Sequence, residues 1–151
     1  MRLALKPIGE VRSPVSAQRA GHWGEVVSEL HFTEAMAEGL QGIDEFSHLL
    51  VLFWMHRASF RPRRDLLRRP GGRRDMPCRG IFAQRASGRP NGLGATVVRL
   101  LAHQGAVLRV QGLDALDGSP ILDVKPYFTP FDRAPAPVEP QWVARLMRGY
   151  F

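Results

Sequence analysis

Cysteine is nearly missing from this sequence: Cys78 is the single one in 151 residues. An internal disulfide and a cysteine-built zinc site are thereby excluded, and a reducing, cytoplasmic compartment is the expectation. Lysine is almost as scarce, represented by Lys6 and Lys125 alone. Long hydrophobic runs are lacking too. The longest, Leu49 to Met55, has seven residues, against the roughly 20 that a membrane-spanning helix needs. The first residues carry Arg2 and Lys6 but no sustained apolar stretch ahead of a small-residue cleavage site, which argues against a secretory leader. Common catalytic templates are absent as well: there is no G-x-x-x-x-G-K-[ST] phosphate loop, no H-E-x-x-H and no G-x-S-x-G. No strand is followed by G-x-G-x-x-G and a helix, so a Rossmann-type nucleotide fold is not indicated. His22, His31, His48, His56 and His103 lack metal-ligand spacing, and no metal is expected.

What is present suits one domain spanning 1–151. A hydrophobic content of 44% supports a core, and a charged fraction of 23% is too ordinary for wholesale disorder. Lys and Arg total 21 against 14 Asp and Glu, a formal charge of +7. Because nearly all of the basic residues are arginines, which grip phosphate in a bidentate fashion and stack on bases, this balance favours a polyanionic partner. An arginine-biased but merely solvated surface fits the same numbers.

Strand-like segments dominate the chain. Leu3–Leu5 and Ile8–Val11 read as an opening strand broken by Pro7, and residues 25–32 (EVVSELHF) as a second. Thr33 to Gly39 has the start and stop of a short helix. Ser47 to His56 reads as a covered strand, with His48 and His56 flanking it. Further strands are expected at Gly80–Ala83, Gly94–Leu101, Ala106–Gln111 and Ile121–Val124, with a hairpin turn at residues 102–105. Residues 57–79 hold nine arginines among prolines and glycines, with no hydrophobic period, and predict a long surface loop. Residues 141–148 read as a short terminal helix with Pro140 at its first position. Strands without regular helix alternation predict an all-β or mostly β domain: a small β-barrel with short helices and a long Arg-rich loop.

Two segments stand out chemically. In residues 85–94 (RASGRPNGLG) three glycines, Pro90 and Asn91 force tight turns, and Arg85 and Arg89 place guanidinium groups beside the exposed backbone. An ordinary hairpin collects the same residue types. In residues 117–127 (DGSPILDVKPY) Asp123 and Lys125 alternate onto one strand face with Tyr127 just beyond. Such a pair would bind each other or a polar ligand.

Taken together, four blocks in order resemble the TrmO/YaeB (TsaA-like) family of S-adenosylmethionine-dependent tRNA methyltransferases. They are residues 7–14 (PIGEVRSP), 42–49 (GIDEFSHL), 80–85 (GIFAQR) with Arg89-Pro90-Asn91, and 116–127 (LDGSPILDVKPY). The resemblance implies a small β-barrel, working as a homodimer, with S-adenosylmethionine near the subunit interface. It also implies transfer of a methyl group to N6 of threonylcarbamoyladenosine at position 37 of tRNA. Arg85, Arg89, Pro90, Asn91, Gly94 and His48 become the candidate cofactor-binding residues, and Asp123, Lys125 and Tyr127 the candidate catalytic ones. Asp123 would accept the N6 proton while Lys125 or Tyr127 orients the base. The arginines of 57–79 would face the tRNA phosphates. Where the family usually reads T-R-S-P-x-R-P-N-P-I-G, residues 84–94 read QRASGRPNGLG. The resemblance does not extend to the C-terminal domain of many bacterial members. A methyltransferase of the same fold acting on a small molecule, and a nonenzymatic RNA-binding module, are the alternatives.

Overall fold

The computed structural model describes residues 3–151. In chain order the strands are β1 (Gly9–Arg12), β2 (Val27–Phe32), β3 (His48–Trp54), β4 (Leu67–Arg68), β5 (Arg79–Gly80), β6 (Leu93–Gln104), β7 (Val107–Gln111) and β8 (Pro120–Pro126). Six of them close into a barrel in the order β1-β2-β7-β6-β3-β8, every neighbouring pair antiparallel. The mostly β barrel expected from the sequence is the fold.

Period-two alternation fixes which side chains point inward. Along β3, Leu49, Val51 and Phe53 are buried while His48 and Trp54 face out. Val11, Leu30, Val98, Leu108, Val110 and Ile121 join them in one core, each almost wholly excluded from solvent. Leu113 and Ala115, beyond the end of β7, belong to the same cluster. Closure removes the exposed edges that an open sheet of such short strands would leave.

Several local expectations differ from what forms. Leu3–Leu5 has no regular structure. Thr33 does precede a short helix, but a 3-10 helix, Glu34–Leu40. Gly80–Ala83 is not a strand: only Arg79–Gly80 pairs, and Ile81–Ala83 winds into a 3-10 turn. The reason is local. Burial of Ile81 pulls the chain inward, and the Gln84 side chain locks the turn by donating to the carbonyls of Arg68 (2.8 Å) and Arg79 (2.7 Å). The β6–β7 hairpin turns at Gly105 and Ala106, later than residues 102–105, with Gly105 supplying the positive φ of 59° that a tight turn requires.

Residues 57–79 form a folded excursion instead of a bare loop. Helix α1 (Pro62–Asp65), the β4–β5 ladder and a 3-10 turn at Pro70–Gly72 are organised around Asp65, which is fully buried. Its Oδ2 accepts the Arg61 amide (2.7 Å) and Arg64 Nη2 (2.8 Å), and its Oδ1 accepts Arg64 Nε (2.6 Å). Arg68 approaches the same carboxylate at 3.5 Å. Hydrogen bonding from Arg64 holds the Asp65 carboxyl down to about 2. A carboxyl depressed by folding contributes stability above its ordinary value near 3.8 and loses it as pH falls through about 2. Asp65→Asn, which mimics protonation, is therefore expected to accelerate backbone hydrogen exchange across 57–79 at neutral pH while the barrel strands keep wild-type protection. Unchanged exchange in that segment would show that Asp65 does not organise it.

Candidate active site

The bend that the sequence singles out leads into β6. Arg89-Pro90-Asn91-Gly92 closes a four-residue turn through the Gly92 amide and the Arg89 carbonyl at 3.1 Å, with proline, asparagine and glycine in the order such a turn favours. Gly92 has φ +60° and its carbonyl receives the Met55 amide (2.8 Å), which docks the bend onto the end of β3. The arginines are partly engaged. Arg89 Nη1 donates to the carbonyls of Gln84 (2.8 Å) and Ala86 (3.4 Å), bracing the bend from inside. Arg85 Nη2 donates to the Ala95 carbonyl (2.6 Å), on the stretch of β6 upstream of its pairing with β7. A guanidinium has five N–H donors, so both retain donors for a ligand. Pro90 and Asn91 are exposed at the tip. Gly94 faces inward under the Phe53 ring, so its account is packing.

From this bend an apolar strip runs over the outside of the barrel. Register places Trp54 beside Leu93, Leu52 beside Ala95 and Leu50 beside Val97. Trp54, Leu93 and Val97 are each at least 40% exposed. On the other flank of β3, Leu52 pairs with Asp123 and Leu50 with Lys125, so both charged residues edge the same outer face. Lys125 Nζ lies 2.6 Å from Asp123 Oδ2, and Asp123 Oδ1 accepts the Val124 amide at 2.9 Å. The pairing anticipated for these two is made within the chain.

His48 and Tyr127 occupy the opposite end of that face. The Tyr127 amide donates to the His48 carbonyl (3.0 Å), and the rings meet edge-on with centroids 6.4 Å apart. The Ser47 hydroxyl sits 2.8 Å from His48 Nδ1. Phe46 stacks on Phe128 alongside, with centroids 5.7 Å apart. Six residue steps at about 3.3 Å separate His48 from Trp54, some 20 Å along β3. Within one chain the structure thus gathers the Arg89 bend, Trp54 and Asp123 towards one end and His48 with Tyr127 at the other.

One cluster escaped sequence reasoning. Asp114 accepts the Thr96 hydroxyl through Oδ1 and the Tyr150 hydroxyl through Oδ2, the latter at 2.5 Å. Burial, followed by the Asp114 charge, raises the Tyr150 phenol above its usual range, and the nearby Arg85 opposes this. The chain around Tyr150 is held by the His22 and Trp23 amides donating to the Gly149 and Tyr150 carbonyls, both at 2.8 Å. No motif joins residues 96, 114 and 150; only the closed fold does. The Asp117-Gly118-Ser119 block is also explained by wiring. Asp117 Oδ1 takes the Ser13 amide at 3.0 Å, and the Ser119 hydroxyl lies 3.3 Å from His56 Nδ1. Among the described residues there is no cluster of three or more His, Cys, Asp or Glu able to hold a metal, and no helix long and apolar enough to cross a membrane.

Comparison with known proteins adds the family. Residues 12–133 match the model of the tRNA-methyltransferase O N-terminal domain. An S-adenosyl-L-methionine-binding protein of Archaeoglobus fulgidus is 42% identical over 135 residues, covering 86% of this chain and 93% of that protein. A rat tRNA (adenine(37)-N6)-methyltransferase is 33% identical over 110 residues, covering 73% of this chain but 25% of that protein. The crystal structure of TrmO from Pseudomonas aeruginosa superposes with a TM-score of 0.74 at 31% identity, over 91% of this chain and 62% of the crystallised one. The barrel, the bend at its rim and a family match running from β1 past β8 agree: the chain belongs to the tRNA-methyltransferase O family.

Proposed function

We propose that this protein transfers a methyl group to N6 of threonylcarbamoyladenosine at position 37 of tRNA, in the cytoplasm, as a homodimer. The coarser statement rests on family: the cofactor is S-adenosylmethionine, the ligand named for the Archaeoglobus relative, and the chain is a methyltransferase of the TrmO family. The single observation that carries the finer reading is the outer strip bounded by the Arg89 bend and edged by Asp123.

The residues present fit such a cofactor. Arg85 and Arg89 have free N–H donors for a carboxylate, and Trp54 with Leu93 offers a flat apolar bed for an adenine ring. S-adenosylmethionine, when bound, supplies a methyl group on a positively charged sulfur. The protein's part is alignment and proton management. Asp123, steered by Lys125 and the Val124 amide, would take the proton leaving N6 as the N–C bond forms, while Tyr127 positions the base. The roughly 20 Å of β3 between His48 and Trp54 is what a two-fold dimer across this face would close. Isologous pairing sets one end of a strip against the other end of its partner's. Exposed Trp54, Leu93 and Val97 supply the apolar patch such an interface needs.

The test is a methylation assay with purified tRNA bearing or lacking the threonylcarbamoyl group, read by nucleoside mass spectrometry. Gain of one methyl on the modified adenosine alone is the expected result. Methylation of neither tRNA, with S-adenosylmethionine still bound, would move the acceptor to a small molecule.

A further inference from the structure

A second place suited to nucleic acid is lined by residues that the outer strip does not use. Between the arginine-rich excursion and helix α3 (Gln141–Leu146, following the single-turn helix α2 at Thr129–Asp132) is an open cleft of about 540 Å³. Arg69, Arg74, Asp75, Trp142 and Arg145 are among its lining residues. The one acidic group is neutralised, since Arg73 holds Asp75 bidentately at 2.6 and 3.0 Å. Arg73 also reaches the Arg145 carbonyl at 3.4 Å, tying α3 to the excursion. Arg69 is aimed by its bond to the Met76 carbonyl. Among the described residues Arg74 and Arg145 enter no salt bridge within 4 Å, and Arg73, helped by the Arg145 charge, holds the Asp75 carboxyl below its ordinary value. Trp142 has its indole N–H shielded from solvent and without an acceptor. That buried edge fixes the indole within the fold, while Trp142 itself lines the cleft.

We propose that this cleft holds one nucleotide of a single-stranded stretch of RNA, its base stacked on Trp142 and its flanking phosphates on Arg74 and Arg145. The space exceeds what a lone phosphate fills and lies within the range of small-ligand sites. A π-face beside unpaired guanidinium groups is the recognition chemistry of single-stranded nucleic acid. The proposal rests on the tRNA reading above, and adds where the RNA is gripped beyond the reacting base.

Tryptophan fluorescence tests it, titrating the full chain with tRNA and with an oligoadenylate pentamer. Trp142→Phe keeps the packing but removes the reporter, so the quench seen in the wild type and lost in W142F belongs to this cleft. Arg74→Ala with Arg145→Ala, both on exposed side chains, should weaken tRNA binding by about tenfold. It should also flatten the salt dependence by about 1.4, since each single-strand phosphate contact contributes about 0.7. A quench undiminished in W142F, or an affinity and salt slope unchanged in the double variant, overturns the proposal. The two readings separate cleanly. Loss of the Trp142 signal without tRNA methylation by the wild type keeps the cleft and sinks the enzyme's substrate; methylation without that signal does the reverse.

Discussion

Replacing Arg89 by alanine is expected to weaken S-adenosylmethionine binding by about tenfold to a hundredfold and to reduce methyl transfer with it, leaving the thermal midpoint nearly unchanged. The physical basis is the internal brace: one guanidinium nitrogen holds the carbonyls of Gln84 and Ala86, and so fixes the turn that presents Pro90 and Asn91. Hydrogen bonds to a charged group contribute about 1.5–3 kcal/mol, and every 1.4 kcal/mol is tenfold in binding. Because the bend is exposed at its tip and docks through backbone contacts at Met55, the barrel core does not depend on it. On this reading Arg89 both braces the bend and offers its remaining donors to the cofactor, so the conservative variant discriminates. Arg89→Lys should recover part of the affinity, because an ammonium can reach one of the carbonyls but lacks the planar fork. Calorimetry with the cofactor, set beside a melting curve, reads both quantities. Full affinity in Arg89→Ala would remove the bend from the cofactor site.

The barrel was legible because each of its strands carries a signal that burial enforces. The seven-residue apolar run of β3 and the alternation in β2 and β7 leave little freedom about which face turns inward. Two of the local differences share a cause: tertiary contacts outvoted composition. Gly80–Ala83 has strand-like residues, yet burial of Ile81 and the Gln84 clamp make it a turn. The arginine-rich segment has no hydrophobic period to betray a fold, and it is organised by Asp65, a single carboxylate among many cations.

The site was legible in a different way. Residue types around Arg89-Pro90-Asn91 announce a turn, and the structure has that turn, but chemistry came from the resemblance and not from spacing. Asp123 and Lys125 were correctly placed on one strand face, since alternation alone dictates it. Composition could not reveal that Arg85 and Arg89 each bond a backbone carbonyl, because that depends on where β6 parts from β7 and how the bend folds back. Nor could it reveal Asp114 joining Thr96 to Tyr150, a contact between residues far apart in sequence.

Gly94 provides the sharpest test of how packing and ligand binding divide at this rim. A Cβ there would sit 2.3 Å from Phe53 Cζ and within 2.7 Å of two further ring atoms, and Phe53 is only 2% exposed. The ring has to move, so Gly94→Ala should cost about 1–3 kcal/mol in denaturant unfolding. Gly39→Ala, where nothing lies within 4 Å, is the control and should stay within about 0.5 kcal/mol of wild type. Shrinking the obstacle should relieve the clash: Phe53→Leu combined with Gly94→Ala is expected to be less destabilised than the sum of the two single variants, with a coupling of about 1 kcal/mol or more. Purely additive losses would mean that the ring is not what excludes the methyl group. The same double variant assigns the functional effect. If cofactor affinity returns together with stability, Gly94 serves the site by leaving room for Phe53 beneath the bend. If stability returns and affinity does not, the missing side chain at position 94 is needed by the ligand itself.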